Sequence, residues 1–413
     1  MTKSAAEALG LNKPPLSRVL AALDRDGEEA RVVGGAVRNA LMGLPIHEVD
    51  IATTAVPDEV VRRMNAAGFK TVPTGIEHGT VTVIAEGTPF EVTTLREDIE
   101  TYGRKAKVAF GRDWERDAQR RDFTINALSM SRDGTVHDYV DGLPDIAAGS
   151  VRFVGEAATR IAEDYLRILR LFRFHAHYGK GEIDAAGLHA SIVARAGLEN
   201  LSRERVRMEM MKLLAAPRGA ATLQVMADCG LLQMILGGVP RVDAGANMAA
   251  AETALGLPRD AVRALAALGV SIVEDAERLW QRLRLSNAEE ARLKSMADGW
   301  WRISPAMNEA RAHEVLYRIK PENYVDRVLL AWARAGSGVD VTAWRLLAML
   351  PHRWAVPEFP LKAADFIVRG LPKGPALGKA LAAAELDWIA RGFPNEAAAL
   401  AKIADDAARA AKA

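Results

Sequence analysis

The chain has 413 residues, which is long enough for about three domains with substantial hydrophobic cores. Its 54 lysines and arginines balance 53 aspartates and glutamates, so the net charge of +1 excludes a uniformly basic protein, and any nucleic-acid surface must come from local clusters. The single cysteine excludes an internal disulfide and favours a reducing compartment. Since no apolar run approaches roughly 18 residues and the start lacks a signal pattern, we expect a cytoplasmic protein that contacts no membrane.

The first candidate site is a glycine turn near the N-terminus. A β-branched run ends at Gly34 and Gly35 and leads into a predicted helix over residues 36–42. Free backbone N–H groups at such a helix start can hold a polyphosphate, and Gly35 allows close approach. Arg38 follows one helical turn later. The alternative interpretation is an ordinary Gly-Gly turn without a ligand.

Two acidic residues follow this helix. Glu48 and Asp50 are two positions apart in a strand-like run, a spacing that predicts both carboxylates on one face. Hard oxygen ligands in this arrangement suit magnesium. The alternative is a solvated edge strand.

A helix over residues 60–67 and a hairpin of two strands, 78–84 and 89–95, are predicted next. Glu91 lies in the middle of the second strand. It is either a third carboxylate on the metal face or a strand residue that faces solvent.

Residues 97–117 are charged and weakly periodic, which predicts a mobile loop. Arg121 and Asp122 follow, next to apolar residues. Arg121 can grip a phosphate with two N–H groups while Asp122 accepts a ribose hydroxyl. A purely structural ion pair is the alternative.

Strand signals stop after residue 148, where we place a domain boundary, and the remaining chain is predicted to be helical. The helix predicted from Glu163 to Arg173 is the richest in charge. In it, Asp164 and Arg167 are neighbours at i and i+3, and Arg170 and Arg173 continue the charged stripe. The alternative is a solvated helix face with salt bridges.

Five motifs in this order resemble those of the class II CCA-adding enzymes, the tRNA nucleotidyltransferases. The motifs are Gly34-Gly35-Ala36-Val37-Arg38, Glu48-Val49-Asp50, Arg120-Arg121-Asp122-Phe123-Thr124, Asp164-Tyr165-Leu166-Arg167 and the arginine-rich helix that starts at Arg203. The resemblance implies an α+β fold, with a nucleotidyltransferase head that carries a small mixed β-sheet, followed by an all-α neck, body and tail. We assign the catalytic head to residues 1–148, the neck with nucleotide-base selection to 149–216, and the tRNA-binding body and tail to 217–413.

The resemblance also implies an activity, which is the template-independent addition of C, C and A to the 3′ end of tRNA from CTP and ATP, with release of pyrophosphate. Glu48 and Asp50 would be the catalytic carboxylates and would hold Mg²⁺. The implied partner is the tRNA acceptor end, with no obligate protein partner. The implied nucleotide-binding residues are Gly34, Gly35, Arg38, Arg121, Asp122, Asp164, Arg167, Arg170 and Arg173.

One position departs from the family pattern, which usually has Asp where this chain has Glu48. Glutamate is longer by one methylene, and we expect the backbone to compensate. A bacterial poly(A) polymerase shares the head motifs and is the closest alternative. A CC-adding enzyme and a non-catalytic RNA-binding relative are the others.

The base-selection hypothesis rests on hydrogen-bond chemistry. Cytosine and adenine both present an amino donor beside an unprotonated ring nitrogen. A carboxylate at Asp164 would accept from the amino group, and Arg167 would donate to the ring nitrogen. Uracil and guanine would leave both charges unpaired, so such a site rejects them.

Overall fold

The computed structural model describes residues 2–75, 79–102, 105–336 and 338–412. The chain forms two compact units, one of Met1–Gly238 with Arg282–Arg284 and the other of Val239–Gln281 with Leu285–Ala413. No helix within the described ranges is long and apolar enough to cross a membrane. The predicted boundaries after residues 148 and 216 both fall inside the first unit, and they stay predictions.

The first unit carries a mixed sheet and helices. The strands are β1 (Ala30–Val33), β2 (Asp50–Thr53), β3 (Lys70–Gly75), β4 (Thr80–Ala85), β5 (Thr88–Thr94), β6 (Arg96–Tyr102), β7 (Lys105–Phe110), β8 (Ser129–Ser131) and β9 (Val136–His137). The helices are α1 (Thr2–Leu9), α2 (Leu16–Leu23), α3 (Gly35–Met42), α4 (Pro57–Ala66), α5 (Trp114–Gln119), α6 (Gly142–Ala148), α7 (Ala157–Glu163), α8 (Leu166–Tyr178), α9 (Ala185–Val193), α10 (Arg203–Leu214), α11 (Gly219–Asp228) and α12 (Leu231–Leu236).

The described part of the chain after residue 238 is helical. The helices are α13 (Val242–Ala254), α14 (Ala261–Gly269), α15 (Val273–Leu283), α16 (Asn287–Ala297), α17 (Glu309–Ile319), α18 (Pro321–Arg334), α19 (Val341–Ala348), α20 (Leu350–Arg353), α21 (Ala363–Ile367), α22 (Pro375–Ala390) and α23 (Ala397–Ala410). Together with the strand-bearing first unit, these helices confirm the α+β fold class.

The seven-stranded sheet has the order β3-β4-β5-β2-β1-β8-β9. Strands β2 and β5 pair in parallel, whereas the other neighbours are antiparallel, so the sheet is mixed as predicted. Val32 and Val92 flank Ile51 in the register, and all three are fully buried. Because side chains alternate along a strand, Asp50 and its register partner Glu91 lie on the opposite face.

Two predictions in the head are wrong. Strand β2 begins at Asp50, so Glu48 precedes the strand instead of lying in it. The segment predicted as a mobile loop contains the antiparallel pair β6–β7, followed by α5. Charged residues hide the strand periodicity there, whereas Thr101, Tyr102 and Val108 have the side chains that strands favour. Parts of two predicted segments, residues 103–104 of the loop and His78 of the hairpin, lie outside the described residues.

The helix predicted to start at Glu163 is divided in the structure. Helix α7 ends at Glu163, and Asp164 has extended backbone angles, with φ −157° and ψ 109°. The Asp164 carboxylate accepts from the Leu166 N–H at 3.1 Å, at the start of α8. Aspartate favours this local bond over a helix interior, which explains the break. Asp164 is therefore at a helix start, and the prediction that it lies on the same helix as Arg167 is wrong.

Candidate functional site

The glycine turn between β1 and α3 approaches a guanidinium closely. Gly34 has φ 67°, a value that L side chains rarely adopt, and it precedes the first turn of α3. A Cβ atom at Gly34 would lie 3.3 Å from Nη1 of Arg121, and one at Gly35 would lie 3.4 Å from Nη2 of Arg38. The turn thus combines free helix-start N–H groups with two nearby cations, an arrangement suited to a phosphate chain.

Three carboxylates lie beside this turn, where the interior strand β2 begins next to β5, and we call this group of Glu48, Asp50 and Glu91 the sheet edge. Asp50 pairs in register with Val33 on one side and with Glu91 on the other. Glu48 precedes the same strand, and all three acidic side chains are exposed. Among the described residues, no ion pair reaches any of the three. The sequence left open the orientation of Glu91, and the register places it beside Asp50.

The pKa of Asp50 is raised above its ordinary value. Partial withdrawal from water is the largest cause, and the charges of Glu91 and Glu48 add to it, whereas Arg121 acts in the opposite direction. The described residues contain no ready-made group of three metal ligands. Magnesium commonly takes one or two carboxylates and completes its shell with water and substrate phosphates. The exposed carboxylates at Glu48 and Asp50 fit that donor set.

Arg121 connects the turn and the carboxylates. Its Nε and Nη2 donate to Oδ2 of Asp117 at 3.3 and 3.1 Å, and this aspartate also binds Arg120. The Asp117 pair holds one side of the guanidinium, while Nη1 points to the Gly34 turn. Arg121 is therefore placed to contact a phosphate at the turn.

Asp122, predicted to bind a ribose hydroxyl, is engaged within the protein. Its Oδ2 accepts from Nε of Arg170 at 2.7 Å, and its Oδ1 accepts from Nδ2 of Asn126 at 3.0 Å and from the Phe123 N–H at 2.9 Å. Burial alone would raise the pKa of Asp122, but Arg170 and these hydrogen bonds lower it below the ordinary value. The carboxylate is held ionised and oriented.

Arg38 is buried beneath the turn, with 6% of its surface exposed. Its guanidinium donates to Asn39, Asn126 and Tyr178. Of these partners, Tyr178 is the last residue of α8. Arg38, about one helical turn after the glycine turn, is thereby connected directly to α8, the helix predicted to read the base.

Asp164 and Arg167, predicted to act together, have separate partners. Nη2 of Arg205 donates to Oδ2 of Asp164 at 2.6 Å. Arg167 donates to the carbonyl oxygen of Arg160 at 2.7 Å and forms an ion pair with Glu163. The structure therefore brings both residues to the start of α8, but it does not pair them with each other.

Arg170 and Arg173 connect α8 to Asp122 and to α10. Arg173 pairs with Glu209, a buried residue of α10, and Nη1 of Arg170 lies 3.7 Å from the same carboxylate. Both guanidinium groups also lie over the ring of Phe174, at 4.1 Å for Arg173 and 5.0 Å for Arg170.

Sequence reasoning missed four residues of this network. Asn126, Arg205 and Glu209 lie in or beside motifs that the sequence had already singled out. Asn126 and Glu209 each stand between two apolar residues, which was an available signal, whereas Arg205 stands in a charged run. Tyr178 carried no such signal, because a tyrosine at a helix end is usually a packing residue.

Comparison with known proteins places these residues in a family. A family model described as the poly A polymerase head domain matches residues 30–152. A second, described as the probable RNA and SrmB-binding site of polymerase A, matches residues 188–244.

Full-length similarity extends beyond these two segments. The chain is 32% identical over 402 residues to the CCA-adding enzyme of Limosilactobacillus fermentum, covering 97% of this chain and 98% of that protein. It is 34% identical over 387 residues to the mouse mitochondrial CCA tRNA nucleotidyltransferase 1, covering 90% and 85%. The crystal structure of the Bacillus stearothermophilus CCA-adding enzyme in complex with CTP matches with a TM-score of 0.74 at 29% identity, covering 97% of this chain and 99% of that chain. The predicted family is confirmed: this enzyme belongs to the CCA-adding enzymes, the tRNA nucleotidyltransferases.

Proposed function

We propose that this enzyme adds C, C and A to the 3′ end of tRNA from CTP and ATP, with release of pyrophosphate. The observation that carries the proposal is the sheet edge, where Asp50 and Glu91 are register partners beside the glycine turn. A phosphate site next to uncompensated carboxylates is what nucleotidyl transfer requires. We also place the enzyme in the cytoplasm, because a single cysteine suits a reducing compartment.

We assign the metal to Mg²⁺, held by Glu48 and Asp50, with Glu91 as a further candidate ligand. Two such ions would be held there, one to activate the RNA 3′ hydroxyl and align it with the α-phosphate, and the other to neutralise charge on the leaving pyrophosphate. Glu48 and Asp50 orient the reacting groups because they lie where β2 begins. Transfer is a direct displacement at the α-phosphorus, so no covalent intermediate with the protein is needed.

The triphosphate lies at the glycine turn in this proposal. Gly35, the first residue of α3, supplies a free backbone N–H group, whereas the Gly34 N–H donates to the Leu128 carbonyl oxygen at 3.0 Å and Gly34 contributes the sharp turn. Arg121 and Arg38 supply positive charge. Asp122 orients the sugar. Asn126, the Phe123 N–H and both Nε and Nη2 of Arg170 already contact the roughly four lone-pair sites of the Asp122 carboxylate, so a ribose hydroxyl would take the place of one of these contacts.

Base selection belongs to the start of α8. Asp164 and Arg167 remain the proposed partners of the cytosine or adenine edge, with Arg170 and Arg173 holding α8 against Asp122 and α10. Asp164 is paired with Arg205, and Arg167 is paired with Glu163. When a base enters, Asp164 and Arg167 therefore give up these protein partners and bind the base instead. A base that cannot replace both ion pairs is disfavoured.

A primer-extension assay tests this function. Purified enzyme is given Mg²⁺, CTP and ATP with tRNA that lacks its 3′ CCA, and the products are resolved at single-nucleotide length and sequenced. Addition of CCA, with no extension of tRNA that already ends in CCA, supports the proposal. Products that stop at CC indicate a CC-adding enzyme. Long A tails on unrelated RNA indicate a poly(A) polymerase, and tRNA binding without extension indicates a non-catalytic relative.

A further inference from the structure

Arg38 is held in place by several hydrogen bonds at once. Its Nε and Nη2 donate to Oδ1 of Asn39 at 3.1 and 2.9 Å, and Nη2 also donates to the Tyr178 hydroxyl at 2.7 Å. Nη1 donates to Oδ1 of Asn126. The described residues thus use four of the five guanidinium N–H groups and leave one on Nη1.

Tyr178 contacts this guanidinium in two ways. Its hydroxyl accepts the Nη2 bond, and its ring lies under the guanidinium, with Cζ of Arg38 3.9 Å from the ring centroid. The ring of Phe174, one helical turn earlier on α8, is 5.3 Å from the same atom. Burial lowers the pKa of Arg38, and Tyr178 opposes that shift. Tyr178 therefore stabilises a charged group that is almost fully withdrawn from water.

Asn126 extends this contact into a chain of bonds between the glycine turn and α8. Its side-chain oxygen accepts from Arg38, while its Nδ2 donates to Asp122, which in turn binds Arg170. Tyr178 and Arg170 are eight positions apart on α8, about 12 Å along the helix axis. Helix α8 is consequently connected to Arg38 by two routes, directly through Tyr178 and indirectly from Arg170 through Asp122 and Asn126.

We propose that Tyr178 is a positioning residue for nucleotide binding, which fixes Arg38 so that its remaining N–H meets an oxygen of the bound triphosphate. This inference rests on the proposed function, because it takes a nucleoside triphosphate as the ligand at the turn. Tyr178 touches neither the nucleotide nor the reacting atoms in this arrangement. It acts through Arg38, and it sets the distance between the phosphate site and α8.

The chain offers a matched control for the test. Tyr139 also accepts a hydrogen bond from an arginine, from Nη1 of Arg31 at 3.2 Å. The Arg31 guanidinium stacks on Trp114 and not on a residue of α8. Tyr139→Phe therefore removes a chemically equivalent tyrosine–arginine bond that is not part of the chain from the glycine turn to α8.

The experiment measures KM and kcat for CTP on tRNA that lacks CCA, and for ATP on tRNA that ends in CC. Tyr178→Phe removes the hydroxyl and keeps the ring, and we expect KM for both nucleotides to rise about 3- to 5-fold. Tyr178→Leu also removes the stacked ring, and we expect a rise of about 10- to 30-fold. In both variants kcat and KM for tRNA should stay within about 2-fold of the wild type, and Tyr139→Phe should match the wild type.

Several outcomes would overturn the inference. One is an unchanged nucleotide KM in folded Tyr178→Leu, and another is an equal loss of kcat and tRNA affinity, which would indicate a general structural role. If Tyr178→Leu does not fold, Tyr178→Phe decides, since it changes a single hydroxyl. If the wild type adds no nucleotide to tRNA, the proposed function fails. The role of Tyr178 can still be tested in that case, by measuring the CTP affinity of the wild type and of Tyr178→Phe in equilibrium dialysis. Equal CTP affinity there would reject the role of Tyr178.

Discussion

Asp50 and Asp122 are both predicted site residues of the first unit, yet the charges that surround them have opposite signs. Asp50 lies at an exposed sheet edge beside Glu91 and Glu48, and its pKa is raised. Asp122 is held by Arg170 and Asn126, and its pKa is lowered. The first carboxylate lies beside negative charge that Arg121 offsets only in part, whereas the second is paired with Arg170 of the protein itself.

The same difference separates the two regions around these residues. At the sheet edge, the described residues form no ion pair with the three carboxylates, which leaves them available to the Mg²⁺ that we propose. At α8, Asp164, Arg167, Arg170 and Arg173 each have a protein partner. We therefore propose that charge at the sheet edge serves ligand binding, whereas charge around α8 fixes geometry and selects the base by exchange of partners. Each prediction below tests one side of this comparison.

The largest effect is expected at the sheet edge. Asp50→Ala should reduce CTP and ATP incorporation by about 10³-fold or more, because the carboxylate that would hold the metal is lost. Binding of tRNA, measured by filter binding, should stay near the wild-type level. Asp58→Ala, a change at another exposed aspartate of the first unit, is the control and should keep full activity. Appreciable incorporation by Asp50→Ala would show that the metal assignment is wrong.

Selectivity should change next, at the start of α8. Asp164→Ala or Arg167→Ala should weaken CTP and ATP use together and relax discrimination against UTP and GTP by about 10²-fold, since the unpaired charge that rejects the wrong base is gone. The measurement is competitive incorporation of all four nucleotides. Arg62→Ala, which breaks an exposed ion pair with Glu59 on α4, is the control. Unchanged selectivity in both variants would place base selection elsewhere.

Stability at neutral pH should respond more strongly at Asp122 than at Asp50. Because the pKa of Asp122 is lowered, its pair with Arg170 stabilises the fold above the ordinary aspartate range, and this stabilisation is lost as the pH falls through the lowered pKa. Asp122→Asn leaves Arg170 with an uncharged partner and should cost about 3 kcal/mol at pH 7. Urea unfolding at pH 7 and at pH 3 measures this cost, which should shrink at the lower pH. An equal loss of stability at pH 7 and at pH 3 would show that the ion pair of Asp122 with Arg170 is not the source of the cost.

Much of this architecture could be predicted from the sequence, because the short-range signals were strong. The glycine turn, the hairpin of β4 and β5, and the all-helical second half follow from local periodicity and turn chemistry. Leu16, Val19, Leu20 and Leu23 recur in the sequence at the spacing of one helix face, and all four are buried on α2. The ordered motifs then led to the family, which the comparisons confirmed.

The side-chain partners could not be predicted in the same way. Asp164 binds Arg205, which is 41 positions away, and Arg170 binds Asp122, which is 48 positions away. Sequence spacing suggested the local pair of Asp164 and Arg167 instead, because only neighbours on one helix are visible in a pattern. The local bond of Asp164 to the Leu166 N–H lies where α8 begins, three residues later than predicted, and this preference of aspartate was the signal that the periodicity concealed.

The smallest effect is expected when Mg²⁺ is added to the enzyme without nucleotide. Because the pKa of Asp50 is raised, this residue stabilises the fold most at pH values below the ordinary aspartate range. This contribution is lost as the pH rises through the raised pKa. At pH 8 the charges of Asp50, Glu91 and Glu48 therefore repel one another.

A cation that binds there should stabilise the first unit by about 1.4 kcal/mol at ten times its Kd, a shift of about 2–4 °C in Tm. Asp50→Asn removes one charge of the cluster, so its metal-free Tm at pH 8 should equal or exceed that of the wild type, and Mg²⁺ should no longer raise it. Differential scanning calorimetry with EDTA and with Mg²⁺ makes both measurements, and Asp58→Asn, which should keep the wild-type response, is the control. A Mg²⁺ shift that persists in Asp50→Asn would mean that the ion binds elsewhere, and the contrast between the two aspartates would then rest on Asp122 alone.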